Sequence, residues 1–259
     1  MGDGGIYDIM NLLKFLKNAW RIILNKIRGF IVNNKINFLY YFLGFIVLGL
    51  GVNIMKASTL GAGAWDTVTI NIRDYLTLKA GFSWVTLGMI SFLVSIIIMA
   101  IVLLYRRKWK FVLMLVPMVL VAASIDFWNI VIFRNQELSS VGLQFLFYLS
   151  GTFILPFGLT LIVKSTFPAF VFDELMLMFV DILKAKKITY IRLTIEFIGI
   201  SIGAIFGYLT YFQMDGSFGA VNFGSFVFAF TLSPIMAFFF KKLKVHQKSI
   251  VVSTSDLME

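Results

Sequence analysis

Six apolar runs, near residues 37–55, 82–105, 111–133, 143–163, 189–212 and 219–240, decide what this chain can fold into. A helix needs roughly 20 apolar residues to cross the hydrocarbon core, whereas a barrel strand needs about 9–11. The runs therefore read as helices, which satisfy their own backbone in lipid. Hydrophobic residues make up 59% of the chain, against roughly 45–50% in a soluble domain. The expected class is an all-α polytopic membrane protein, and the lipid bilayer is its obligatory partner. With no cysteine, thiol catalysis, disulfides and thiolate metal sites are excluded. The single histidine, His246, falls in the charged tail.

A formal charge of +10 could suggest nucleic acid, but the basic residues sit in the connections. Lys14, Lys17, Arg21, Lys26, Arg28 and Lys35 precede the first run. Arg106, Arg107, Lys108 and Lys110 follow the second, and Lys184, Lys186 and Lys187 precede the fifth. Lys241, Lys242, Lys244 and Lys248 follow the sixth. The opposite side holds mainly Lys56, Arg73, Lys79 and Arg134. This asymmetry predicts cytoplasmic N- and C-termini and gives no role to nucleic acid.

One pattern is written twice. Gly44, Gly51, Asp66 and Asp74 recur as Gly151, Gly158, Asp173 and Asp181, at a constant offset of 107 residues; Lys56 recurs as Lys164, one position out of step. Each copy covers three runs. An odd number of crossings makes the second copy enter from the opposite side, so the expected fold is two inverted three-helix repeats. The predicted organisation is 1–36, 37–133, 141–240 and 241–259. In the first segment, Ile6, Ile9, Leu13, Leu16, Trp20, Ile23 and Ile27 alternate with lysines and arginines, the pattern of a cytoplasmic amphipathic helix lying on an anionic leaflet. The last is a cytoplasmic tail.

Each repeat contains a break. In the first, an apolar helix ends near Lys56, small residues follow (Ala57, Ser58, Thr59, Gly61, Gly63), and a new helical pattern starts at Trp65-Asp66. In the second, Pro168 interrupts the chain before Phe172-Asp173-Glu174. The short helices that follow, about 65–78 and 172–183, are expected to be re-entrant or interfacial, too short to span. Broken helices expose backbone and charge, tolerated where they line a cavity or are buried in protein. Lys56, Trp65, Asp66, Lys164, Asp173 and Glu174 are therefore the expected substrate- or ion-binding residues. Glu196 and Asp126 join them because an acid within a span is a functional candidate. Structural readings compete: the aspartates as helix caps, the lysines snorkelling to headgroups, Glu196 paired with Arg192 one turn earlier, and Asp126 as an interface cap. The spacing Gly199–Gly203–Gly207 predicts close helix packing.

The stretch GLGVNIMKASTLGAGAWDTV, through Gly49, Gly51, Lys56, Gly61, Gly63, Trp65 and Asp66, resembles the opening signature of the YczE/YyaS/YitT-like family of bacterial polytopic membrane proteins. Gly224-Ser225 and Ser233-Pro234 match a later element of that family, whereas Pro168-Ala169-Phe170 departs from its second copy. The resemblance covers most of residues 40–240. It implies six spans in a bacterial plasma membrane and leaves the substrate open.

The expected function is a small secondary transporter or exporter of an unknown small-molecule substrate, its polar site at the two breaks. The alternative is a non-transporting scaffold or regulator acting through the N-terminal amphipathic helix. An enzyme is not expected: H-E-x-x-H and an intramembrane histidine are both missing from the sequence. No cofactor or metal is expected, and no feature speaks for a particular oligomeric state.

Overall fold

The computed structural model describes residues 34–245, apart from 108, 135, 137, 166, 168–169 and 185–187. The cationic stretch 6–33, Pro168 and His246 lie outside the described residues. The packing that builds the site lies among the described residues from Tyr40 onward, one of the two units into which contacts divide the chain.

In chain order the helices are α1 (Lys35–Ser58), α2 (Ala64–Asp74), α3 (Leu87–Arg106), α4 (Leu115–Asp126), α5 (Val141–Lys164), α6 (Val171–Leu183), α7 (Ile188–Asp215) and α8 (Phe223–Lys242). A π-helical turn, Tyr75–Lys79, extends α2; a 3₁₀ segment, Trp109–Met114, precedes α4, and a second π-helical stretch, Phe127–Ile132, follows it. Six helices are long and apolar enough to cross a membrane: Lys35–Ser58, Leu87–Arg106, Phe111–Ile132, Val141–Lys164, Thr189–Asp215 and Phe223–Lys242. They fall on the six runs read from the sequence. The largest shift is at α3, expected from 82 and starting at Leu87, because Gly81 takes a positive φ of 77° and turns the chain. The short helices α2 and α6 lie outside the six spans, as expected of the segments after the breaks.

The apolar helices turn whole faces outward. Leu93, Ile97, Ile101 and Leu104 of α3 and Phe145, Leu146, Leu149 and Phe153 of α5 are exposed, with the spacing of a lipid-facing stripe. In water such a surface would not persist; in a bilayer it costs nothing.

Inside, two close crossings set the architecture. Helices α1 and α5 run antiparallel, with Gly44 against Gly158 and Gly51 against Gly151. A Cβ on Gly158 would lie 2.6 Å from the Leu48 backbone nitrogen, and one on Gly51 would lie 2.7 Å from that of Leu155. Helix α2 packs along α7, where Gly199, Gly203 and Gly207 face Ala64, Thr67 and Asn71. The glycine spacing in α7 is thus used for packing. Asn71 is fully buried. Its amide donates to the carbonyls of Gly203 (2.8 Å) and Phe218 (3.0 Å), and its oxygen accepts from the Ala220 N–H (2.9 Å). These bonds hold α2 to α7 and to the α7–α8 connection.

Candidate functional site

The two breaks are built alike. In the first, Ser58 Oγ donates to the Met55 carbonyl (2.6 Å) and accepts from the Leu60 N–H (3.4 Å). In the second, Ser165 Oγ donates to the Ile162 carbonyl (2.6 Å) and accepts from the Phe167 N–H (3.3 Å). All three positions keep the 107-residue offset. The serine hydroxyl thus serves backbone groups left over where the helix ends.

The first break is also tied to α8. The Gly224 N–H donates to the Leu60 carbonyl (3.1 Å), and the Ala62 N–H donates to Ser225 Oγ (3.1 Å). Gly61, at φ 141°, lies so close that a Cβ would meet the Ser225 nitrogen at 2.4 Å. This is what Gly61, Gly224 and Ser225 do in the fold: they let the loop pass against a helix N-terminus.

Beyond the breaks, Asp66 and Asp173 occupy the first turns of α2 and α6. The capping reading fails for both. The N-cap positions are Gly63 and Phe170, and neither aspartate side chain makes a capping hydrogen bond. The two carboxyls instead line one cavity of about 100 Å³. Trp65 and Phe172, one residue before each aspartate, pack with tilted rings, their centroids 4.7 Å apart. From α7, Arg192 and Glu196 join the lining; Leu48, Val52, Leu155 and Leu159 contribute apolar wall.

The polar groups of this cavity are not matched to one another. Arg192 and Glu196 lie one turn apart on α7, yet they form no ion pair; the ion pairs among the described residues are Arg73–Asp74 and Arg106–Asp181. Arg192 donates instead to Met236 Sδ at 3.1 Å. The indole N–H of Trp65 is buried and has no acceptor. Asp66 and Asp173 lie outside the six spans, and burial pushes both carboxyls up. Asp66 rises to about 7, with the nearby Glu196 charge adding to the effect, while Arg192 opposes the rise at Asp173.

Several expected residues are elsewhere. Lys56 and Lys164 do not line the cavity with the aspartates. Lys56 donates to Asn129 Oδ1 at 2.9 Å. Lys164 donates to the Tyr40 hydroxyl at 3.2 Å and lies 4.3 Å from the centre of that ring. Each lysine is at the last turn of its helix, where a cation suits the dipole. Asp126 is a structural acid. Its carboxylate accepts from the Thr86 hydroxyl (2.6 Å) and the Gly88 N–H (2.6 Å), closing the N-terminus of α3. Glu174 is buried but outside the cavity lining.

Asp74 and Asp181, expected to be solvated or interfacial, end the short helices. Asp74 is buried and accepts from the Tyr211 hydroxyl at 2.8 Å. Asp181 pairs with Arg106 at 2.6 Å in a half-exposed position. A second cavity, of about 210 Å³, lies beside the first break and is lined by Lys56, Thr59, Asp74, Tyr211, Asp215 and Asn222, among others. Sequence reasoning assigned no site to Tyr211, Phe170 or Phe228, because an aromatic residue in an apolar run carries no signal of the wall it faces.

Six apolar crossings and lipid-facing exterior stripes define a multi-pass integral membrane protein in contact with the bilayer. The chain belongs to the family of unknown function DUF6198, whose model matches residues 35–241. It is similar to the uncharacterized protein YyaS of Bacillus subtilis (strain 168), at 24% identity over 147 residues, covering 57% of this chain and 70% of that protein. That relative is a member of the family the opening signature resembles. No solved structure matches the chain.

Proposed function

We propose that the chain is a small secondary transporter or exporter, built of two inverted three-helix repeats, with its site between the two short helices. One observation carries the reading: Asp66 and Asp173, equivalent positions of a duplicated pattern, share one cavity in which the carboxyls and the guanidinium form no ion pair and the indole N–H has no acceptor. Under-matched polar groups inside a membrane protein are costly, and a cargo or a coupling ion offsets that cost.

The contacts support the inverted arrangement. The crossing of α1 and α5 is reciprocal: exchanging each glycine for its counterpart 107 residues away turns the Gly44–Gly158 contact into the Gly151–Gly51 contact. Trp65 and Phe172 are counterparts and touch each other. In the cavity wall, Leu48 with Leu155, Val52 with Leu159, Val121 with Phe228, and Asp66 with Asp173 are counterparts too. Such pairing supports a pseudo-two-fold axis through the cavity, where inverted-repeat transporters hold their cargo.

The outer ends of the short helices supply the closures. Asp74 tied to Tyr211 shuts α2 against α7 on one side, and Asp181 tied to Arg106 shuts α6 against α3 on the other. Rocking that opened one pair at a time would give the cavity alternating access. The asymmetry of the basic connections supports termini in the cytoplasm of a bacterial plasma membrane.

The test is an untargeted metabolite comparison of cells and medium in a strain lacking the protein, complemented with wild type, Asp66→Asn or Asp173→Asn at matched membrane levels. A metabolite that redistributes with wild type and with neither variant bears the reading out. If the variants match wild type while removal of residues 1–33 abolishes the phenotype, transport is wrong and the scaffold reading replaces it.

A further inference from the structure

The cavity between α2 and α6 has more chemistry than a generic polar site. Three carboxyls, Asp66, Asp173 and Glu196, face one guanidinium, Arg192. The positive ends of α2 and α6 would draw an anion, but each already carries its own aspartate in the first turn. The balance of the lining is therefore acidic. Its walls are aromatic and aliphatic. The tilted rings of Trp65 and Phe172 lie 4.7 Å apart, those of Phe170 and Phe172 5.1 Å apart, and Phe228 is a further wall residue.

A bare metal ion does not suit this lining. Among the described residues no three acids converge closely enough to hold one, and hard ions demand a shell of oxygens. Ring faces beside carboxylates suit an organic cation, whose diffuse charge binds to π-surface and whose carbon body binds to apolar wall. The cavity, of about 100 Å³, suits a compact guest. The Trp65 N–H, buried and without an acceptor, offers a hydrogen bond that a plain ammonium cannot take and a hydroxyl or carbonyl can.

We propose that this cavity takes a compact organic cation, an amine that is protonated or quaternary and carries an oxygen acceptor for Trp65. The proposal rests on the transport reading, in that it takes the cavity between the repeats as the place where the cargo sits. The carboxyls of Asp66 and Asp173 hold the charge from two sides, the rings of Trp65 and Phe172 close over it, and Glu196 supplies the third acid. Lys56 and Lys164, held by Asn129 and Tyr40, stay out of the cavity and do not oppose a cation.

The experiment uses the full chain in lipid nanodiscs, with labelled choline as probe. Tetramethylammonium and 3,3-dimethyl-1-butanol, the uncharged carbon isostere of choline, serve as competitors. Choline and tetramethylammonium should bind and the isostere should not. Asp66→Asn and Asp173→Asn should each weaken choline by about tenfold or more, as expected for losing a charge partner in a desolvated site. Trp65→Phe keeps a ring and removes the N–H, so it should erase the preference for choline over tetramethylammonium. Glu196→Gln repeats the carboxyl test from α7 should the aspartate variants unfold.

Equal competition by the isostere overturns the proposal, as do folded Asn and Gln variants that keep wild-type affinity. Proteoliposomes separate the two readings. Choline binding without choline uptake sinks transport and leaves the cation site standing. Uptake of some other substrate, abolished by Asp66→Asn, with no cation binding in the cavity, sinks the cation proposal and leaves transport standing.

Discussion

Replacing Gly158 by alanine tests the central crossing, because the same substitution has an internal control on the same helix. At Gly158 a Cβ would sit 2.6 Å from the Leu48 nitrogen and 2.9 Å from its Cα, with the Gly44 carbonyl oxygen at 3.0 Å. Ordinary contact is about 3.5–4.0 Å, so α1 and α5 must separate by roughly 1 Å. All three atoms are backbone and cannot rotate away. Overpacking of this kind costs about 1–3 kcal/mol, offset in part by the gain of up to about 1 kcal/mol when alanine replaces glycine in a helix. At Gly142, in the first turn of α5, an added Cβ meets nothing within 4 Å. Gly142→Ala therefore takes part of the propensity gain with no clash. The stability difference between the two variants isolates the overpacking, about 1–3 kcal/mol in favour of Gly142→Ala. Equilibrium unfolding in mixed micelles, followed by tryptophan emission, measures it. Gly151→Ala should fall between them, because the nearest atom is Met55 Cγ on a flexible side chain. If Gly158→Ala is as stable as Gly142→Ala, the helices do not cross at these glycines and the α1–α5 contacts are not reciprocal.

Other substitutions probe the supports of the cavity. Gly61→Ala must hold an L-residue at φ 141°, a region that costs about 1–3 kcal/mol for a residue with a Cβ, and its Cβ meets the α8 backbone; the same unfolding assay should show a loss of at least that size. Asn71→Leu removes three hydrogen bonds and strands the Ala220 N–H, so a loss of about 2–4 kcal/mol is expected; a wild-type midpoint would show that Asn71 does not join α2 to α7. Tyr211→Phe deletes the hydroxyl that caps buried Asp74. If that bond closes one side, cysteines introduced beside Asp74 in the variant should label faster than in wild type. Binding of choline should also depend on pH. The Asp66 carboxyl sits well above its ordinary range, at about 7, through burial and the charge of Glu196, and Asp173, Glu196 and Arg192 face the same cavity. The cation prefers the ionised carboxylate, so affinity should rise as pH rises through about 7 and binding should release protons. Affinity that is flat between pH 5 and 8 would show that Asp66 does not titrate with the cation.

The six spans and two short helices were legible because their causes are local. Membrane thickness demands runs of about 20 apolar residues, and Ser58, Gly61, Gly63 and Pro168 mark where a helix stops. The duplicated pattern, too, is a property of the string of residues: Asp66 and Asp173 stood out from the sequence alone. What they do did not. As first-turn acids they read equally well as caps, and only tertiary packing turned both side chains into one cavity. The lysines show the converse. Lys56 and Lys164 lie near the aspartates in sequence, but each is the last-turn cation of its own helix, and Asn129 and Tyr40, from elsewhere in the fold, take them away. Asp126 looked like a candidate by its depth in the chain, and the start of α3, 38 to 40 residues away, claims it as a cap. Arg192 reached the cavity for the reason that local spacing could not supply: α7 lies along α2, so the side chains of α7 meet the first break and not one another. Sequence alone determined which segments are helical and which of them lipid can cover, since both follow from nearest-neighbour geometry and the thickness of a membrane. Which charges meet was decided by the crossing of helices far apart in the chain, because a charge finds its partner in space and the sequence records only distance along the backbone.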